Sequence, residues 1–190
     1  PRLETNRRTG RNGRSMHALT AEELIRLVAQ GDRSAMQVIF ARHHVRVFRF
    51  LVRLARNEAT ADDIVSEVFI DVWRQAGRFE GRSSVANWLL SIARFKALSA
   101  LRKRTDQPID DESAEAIADE ADDPETAEQK RDKGAILRRC IAELSREHRE
   151  IIDLVYFHEQ SIEEVAEIVG APRNTVKTRL FYARKRLAEI

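Results

Sequence analysis

Between Ala171 and Ala188 stand six basic side chains, Arg173, Lys177, Arg179, Arg184, Lys185 and Arg186, and no acidic one. Wound at about 100° per residue, this segment puts Val176, Leu180, Ala183 and Leu187 on one apolar stripe. Asn174, Thr178, Phe181 and Lys185 then point directly away from that stripe. Arg173, Lys177 and Arg184 line one flank, Arg179 and Arg186 the other. Flanking cations reach phosphates and outward polar groups reach base edges, which is the chemistry of a helix laid in a major groove. A solvated basic face on a core helix is the plainer alternative. The missing acids and the helix-like segment just before it favour DNA.

A second acid-free stretch runs from Arg82 to Arg104 and carries Arg82, Arg94, Lys96, Arg102, Lys103 and Arg104. The loop Phe79-Glu80-Gly81-Arg82-Ser83-Ser84 precedes it. The loop is polar, contains a glycine and is bordered by aromatics, as a pocket for an unstacked base needs. An ordinary helix-capping loop has the same composition, so this signal alone is weak. The helix that follows is apolar on two sides, with Trp88, Ile92 and Phe95 on one and Leu90, Ala97 and Leu101 on the other. Such a helix is expected to be largely buried, leaving its ends and narrow flanks for a ligand.

The segment 60–76 has the opposite sign. Asp63, Glu67 and Asp71, at i, i+4 and i+8, form an acidic stripe beside Ile64, Val65, Val68, Phe69 and Val72. A di-metal bundle site would add Glu-x-x-His pairs on other helices, and the sequence has none. His43 and His44 are adjacent and so point about 100° apart on a helix. The stripe is either a solvated face or a docking surface for a basic protein partner. No nucleophile–base set, Gly-rich phosphate loop or zinc spacing occurs. No enzyme activity, metal or cofactor is expected.

The elements that carry these residues follow from composition. A length of 190 residues allows one domain or two small ones. Seven Gly and four Pro are few, and they favour long helices over a β-sandwich or barrel. The net charge of +2 hides a segregation: Asp106–Glu128 holds eleven acids and no Lys or Arg, and without it 33 basic residues face 20 acidic ones. That stretch contains Pro108 and Pro124, has no aromatic residue and cannot bury enough surface to offset the entropy of ordering, so it reads as a flexible linker. Residues 1–15, with five Arg, read as a disordered basic arm, with Met16 a candidate native start.

Capping boxes mark helix starts at Thr20/Glu23, Thr60/Asp63 and Ser161/Glu164. Helices are expected near 20–30, 33–56, 60–76, 84–103, 130–144, 147–158, 161–169 and 172–188, and no window alternates long enough for a strand. Ile162, Val165, Ala166 and Val169 share one helix face, Gly170 turns the chain and Pro172 opens the next helix. Together these make a helix-turn-helix. The fold class is therefore all-α: two small helical bundles joined by an acidic linker. No run is long and apolar enough to span a membrane, no secretory signal opens the chain, and the single Cys140 makes no internal disulfide. A cytoplasmic location is expected.

In order and spacing these motifs resemble the extracytoplasmic-function (ECF) sigma factors of bacterial RNA polymerase, over about 160 residues. Ala61-Asp62-Asp63-Ile64-Val65-Ser66-Glu67-Val68-Phe69 resembles the family's core-binding helix, where Gln is usual at the position of Ser66. Arg78-Phe79-Glu80-Gly81-Arg82-Ser83-Ser84, then Trp88-Leu89-Leu90-Ser91-Ile92-Ala93-Arg94, is similar to the loop and helix that open and read the −10 element; Asn is usual where Phe95 stands. Leu144 through Leu187 resembles the region that reads the −35 element.

The resemblance implies sigma domain 2 at 16–104, the acidic linker at 105–129 and sigma domain 4, a helix-turn-helix, at 130–190. It implies −35 contacts from Arg173, Asn174, Thr175, Lys177, Thr178, Arg179, Phe181, Arg184 and Lys185. It implies −10 contacts from Phe79, Arg82, Ser83, Ser84, Asn87, Trp88, Arg94 and Lys96, and core-polymerase contacts from Asp62, Asp63, Glu67 and Asp71. The implied partners are core RNA polymerase (β′ coiled coil and β flap), promoter DNA and a cognate anti-sigma factor. Two rivals stand beside it. A stand-alone helix-turn-helix regulator with an N-terminal dimerisation or sensor bundle leaves the second acid-free segment and the acidic linker unexplained. A nuclease using Asp63, Glu67 and Asp71 lacks further ligands.

Overall fold

The computed structural model describes residues 16–105, 136–137 and 139–190; the basic arm and the acidic stretch at 106–128 lie outside the described residues. All described secondary structure is helical. The N-terminal block comprises α1 (Ala21–Ala29), α2 (Arg33–Ala55), α3 (Glu58–Gln75) and α4 (Val85–Thr105), with 3-10 turns at Met16–Ala18 and Ala76–Arg78. In the C-terminal block, residues 136–137 and 139–142 are helical. There α5 (Arg146–Ile152) runs into a π-helical turn (Asp153–Phe157), followed by α6 (Ile162–Val169) and α7 (Arg173–Glu189).

Two of the three expected capping boxes form. Thr20 accepts from the Glu23 N–H while the Glu23 carboxylate accepts from the Thr20 N–H, at 3.1 and 2.8 Å. Ser161 and Glu164 do the same for α6, at 3.3 and 2.8 Å. The third box, Thr60 with Asp63, does not form. Arg56 ends α2 in the left-handed region at φ 57°, and Asn57 caps α3 by accepting from the Thr60 N–H at 2.7 Å. Asn is a stronger N-cap than Thr, so α3 starts at Glu58 and takes Thr60 into its first turn. Pro172 likewise stands one residue before the first helical position, at φ −57° and ψ 143°. Gly170 makes the turn of the helix-turn-helix at φ 64°, the left-handed conformation that glycine adopts without a Cβ penalty.

Helical periodicity sets the cores. Leu24, Ile25, Ile39, Phe50, Leu51, Val68, Val72, Leu89, Leu90 and Ala93 are buried between the four N-terminal helices. Ile151, Leu154, Val165, Val176, Leu180 and Ala183 are buried in the C-terminal block. The two blocks pack on each other, α4 against α6 and α2 against α5. The expectation of an α4 buried on two apolar sides holds on one side only. Leu89, Leu90, Ala93 and Ala97 face the core, but Trp88 and Ile92 are half-buried and Phe95 is 75% exposed. The C-terminal block covers α4 along the polar line of Asn87 and Arg94. Phe95 lies about 80° round the helix from Asn87 and escapes that cover.

Candidate nucleic-acid interface

The rotation of α7 agrees with its sequence pattern. Val176, Leu180 and Ala183 are buried, while Asn174, Thr178, Phe181 and Lys185 are all exposed. Phe181 and Tyr182 stack edge to face with ring centroids 5.4 Å apart. Lys177 and Arg184 are exposed on one flank; Arg186 is exposed and Arg179 half-buried on the other, and Thr175 is half-buried. Three of the cations are already engaged: Arg173 pairs with Glu163 of α6, Arg184 donates to the Tyr156 hydroxyl at 2.6 Å, and Arg186 lies 3.6 Å from Glu189. Thr178 returns its hydroxyl to the Asn174 carbonyl at 2.9 Å. Asn174, Lys177 and Lys185 therefore present the least committed polar groups.

In the N-terminal block the structure gathers six of the eight residues expected to face DNA around one loop. Ser84 caps α4, its hydroxyl accepting from the Asn87 N–H at 3.2 Å. Gly81 turns the loop at φ 70°, and Arg82 pairs with Glu80 at 2.6 Å in solvent. Ser83 is half-buried beside them. Phe79 and Trp88 meet at 5.1 Å between ring centroids, so the two aromatics pack on each other at the base of the loop. Arg94 follows two turns along the same helix.

Lys96 parts from this group. It faces α3, where its ammonium lies 2.8 Å from Asp71 and 3.2 Å from Glu67. Burial works against its charge, and the hydrogen bonds to Asp71 and Glu67 outweigh burial, so its pKa is raised. The acidic stripe is thus split: Asp62 and Asp63 are exposed, while Glu67 and Asp71 share one cation from the helix behind them. Beside the stripe runs an open groove between α2 and α3, lined by Phe40, His44, Val45, Phe48, Asp62, Val65 and Ser66. Ile70 and Trp73 are exposed further along α3. Sequence reasoning missed this apolar margin, although Ile70 and Trp73 fall off the buried period of Ile64, Val68 and Val72.

A polar seam joins the blocks. Arg94 donates to both oxygens of Glu150, at 2.6 and 3.3 Å, and the carboxylate side chain is 3% exposed. The buried Asn87 amide donates to Glu164 at 3.0 Å. Arg53 donates to Asp153 at 2.9 Å and stacks over the Phe157 ring at 4.2 Å. Arg46 donates to the His158 carbonyl at 2.6 Å, and Phe50 meets the His158 ring edge to face. The Ser161 N–H first, then the Ser161 hydroxyl and Asn87, hold the Glu164 carboxyl below its ordinary pKa. Glu150, Asp153 and Glu164 were not expected at a site. Glu164 was read only as a capping acid, and partners 56 to 100 residues away leave no local signal.

Residues 39–107 match the family model of sigma-70 region 2, and residues 134–187 that of sigma-70 region 4. The chain is 30% identical over 175 residues to the ECF RNA polymerase sigma factor SigM of Mycobacterium tuberculosis, covering 92% of this chain and 86% of that protein. It is 28% identical to the RNA polymerase sigma-H factor of Pseudomonas aeruginosa, covering 86% and 90% of the two chains. Among solved structures it is similar to the sigma factor RpoE in complex with the anti-sigma factor NepR from Bartonella quintana. There the TM-score is 0.63 at 25% identity, over 79% of this chain and 92% of that one. CnrH, solved in complex with the cytosolic domain of CnrY, shares the fold with a TM-score of 0.66 at 22% identity, over 89% and 95%.

Proposed function

The chain belongs to the extracytoplasmic-function sigma factors of RNA polymerase, and we propose on that basis that it binds core polymerase and directs promoter-specific initiation. In this reading α7 lies in the major groove of the −35 element, with Asn174, Thr178, Phe181 and Lys185 toward the bases. Arg173, Thr175, Lys177, Arg179 and Arg184 position it on the phosphates. The loop bearing Phe79, Arg82, Ser83 and Ser84, with Asn87, Trp88 and Arg94 of α4, takes the −10 strand as it melts, while Lys96 is held on α3 by Asp71 and Glu67.

On the polymerase side, α3 docks through Asp62, Asp63, Glu67 and Asp71 on the basic β′ coiled coil, and the C-terminal block on the β flap. The protein contributes binding and positioning while the polymerase carries the chemistry. It works in the cytoplasm; no helix among the described residues is long and apolar enough to cross a membrane. A cognate anti-sigma factor as partner fits the complexes in which RpoE and CnrH were solved.

The observation that carries this reading is the orientation of α7, acid-free up to its last turn, with its outward polar set exposed on a helix-turn-helix. A promoter-duplex gel shift separates it from a stand-alone regulator. The chain alone gives no sequence-specific shift at physiological salt, and adding core polymerase gives one. Tight specific binding by the chain alone would favour the regulator.

A further inference from the structure

We propose that Tyr156 is a positioning residue for duplex DNA: its hydroxyl holds the Arg184 guanidinium on the flank of α7, already oriented for a backbone phosphate. This inference rests on the reading of α7 as the helix that lies in the major groove. Arg184 Nε donates to the Tyr156 hydroxyl at 2.6 Å, and the guanidinium lies 5.5 Å from the centroid of the same ring. The two residues are 28 apart in the chain and come from different elements. Tyr156 stands in the π-helical turn Asp153–Phe157, where the His158 N–H reaches back to the Asp153 carbonyl at 3.1 Å. Such widened single turns occur often at functional sites. Both side chains are exposed, Tyr156 at 52%. A contact so open to water adds little to the stability of the block.

The chemistry of the partner decides what the contact does. On its own helix Arg184 has Leu180, Phe181, Leu187 and Ala188 as its neighbours at three and four residues, none with a side-chain acceptor. Arg173, on the same flank, pairs instead with Glu163. A carboxylate offsets the charge of its cation and competes with phosphate for it. A phenol is neutral. It occupies Nε alone, restricts a long side chain, and leaves the full charge and both terminal amino groups as a fork that matches phosphate oxygens. Because the phenol oxygen accepts that bond, its own O–H remains as a further donor. Of the two held cations on this flank, Arg184 is thus presented to phosphate, whereas Arg173 is withheld until Glu163 releases it.

The test is a double-mutant cycle on the full-length chain: wild type, Tyr156→Phe, Arg184→Ala and both changes together. Phe keeps the ring and removes the acceptor. Affinity and its salt dependence are measured in two arms. One is promoter DNA with the holoenzyme; the other is duplex DNA of unrelated sequence with the chain alone at low salt. Tyr156→Phe should weaken binding about two- to tenfold in both arms, as the loss of one hydrogen bond does. The loss should be equal for all −35 sequences and leave the salt slope unchanged, because the charge stays. Arg184→Ala should lower that slope by about 0.9, and in its background Tyr156→Phe should change nothing. In NMR spectra of the free chain, the Arg184 Nε–H should exchange with water faster in Tyr156→Phe, at an unchanged melting midpoint. Full affinity in Tyr156→Phe, an equal loss with and without Arg184, an altered −35 preference or unchanged exchange would overturn the proposal. A wild-type holoenzyme that makes no promoter-specific complex would strike the functional reading instead, and the unrelated-sequence arm would still decide whether Tyr156 acts through Arg184.

Discussion

Lys96 and Asp71 form an ion pair of 2.8 Å that ties α4 to α3, with Glu67 accepting from the same ammonium at 3.2 Å. One cation therefore links the helix assigned to the −10 element with the stripe assigned to core polymerase. Neutralising it in Lys96→Met leaves Glu67 and Asp71 uncompensated and makes the stripe more negative. Core-polymerase affinity at low salt should rise several-fold, chiefly through the association rate. Reversing the acids in Glu67→Lys with Asp71→Lys should lower it. Both are checked by surface-plasmon titration of folded variants, and unchanged affinity in both would remove the stripe from the docking surface.

The rotation of α7 separates specifying from positioning residues. Asn174→Ala and Lys185→Ala should each change which −35 sequences a holoenzyme selects, by roughly 1–3 kcal/mol of discrimination for a good base contact. Lys177→Ala should weaken all −35 sequences alike and flatten the dependence of log K on log salt by about 0.9. Selection from a randomised −35 library followed by salt titration measures both. A sequence preference that follows Lys177 and ignores Asn174 and Lys185 would mean that α7 sits rotated in the groove.

His43 gives the N-terminal block a pH dependence. Its Nε2 is buried without a hydrogen-bond partner among the described residues. Burial, then Arg46 and Arg42, push its pKa down against a smaller opposing pull from Glu22. The folded ring therefore takes up its proton only at lower pH than the unfolded one, which does so near its ordinary value of about 6.5. Below that value the unfolded state binds more protons, so stability falls as pH drops toward the folded pKa and is fully present above about pH 6.5. Thermal melts at about pH 5.5 and about pH 7.5 should differ more for wild type than for His43→Gln. An equal difference in both chains would show that other groups set the dependence.

Gly170 holds the turn at φ 64°, and a Cβ built there meets no atom within 4 Å. The penalty for Gly170→Ala is therefore one of backbone conformation, about 1–2 kcal/mol, and Gly170→Asn should cost less because Asn tolerates the left-handed region. Denaturant titration of the three chains should rank them Gly, Asn, Ala. Ala equal to Gly would show that the turn relaxes freely.

The helices and the face that α7 presents are legible in the sequence because both depend on local period and caps. Ile162, Val165, Ala166 and Val169 lie on one side of α6, and Ser161 with Glu164 marks its start, as the pattern requires. Local competition displaced one boundary: Asn57 outcompetes Thr60 as the cap of α3. The seam was not legible. Glu150 ends the charged run Arg146-Glu147-His148-Arg149 with nothing to mark Arg94 as its partner, and Asn87 reads as a loop-proximal polar residue until Glu164 is brought to it by the tertiary fold. Phe95 misled for the complementary reason: its residue type suggests core, and only the placement of the second block shows that none of the described residues covers it.

Sigma activity is measured most directly by transcription in vitro from a genomic promoter pool, with core polymerase alone and with core polymerase plus this chain. Adding the chain should produce a small set of new start sites sharing −35 and −10 sequences, and Asn174→Ala with Lys185→Ala should shift the shared −35 sequence. The same start sites with and without the chain, together with specific promoter binding by the chain alone, would contradict the assignment.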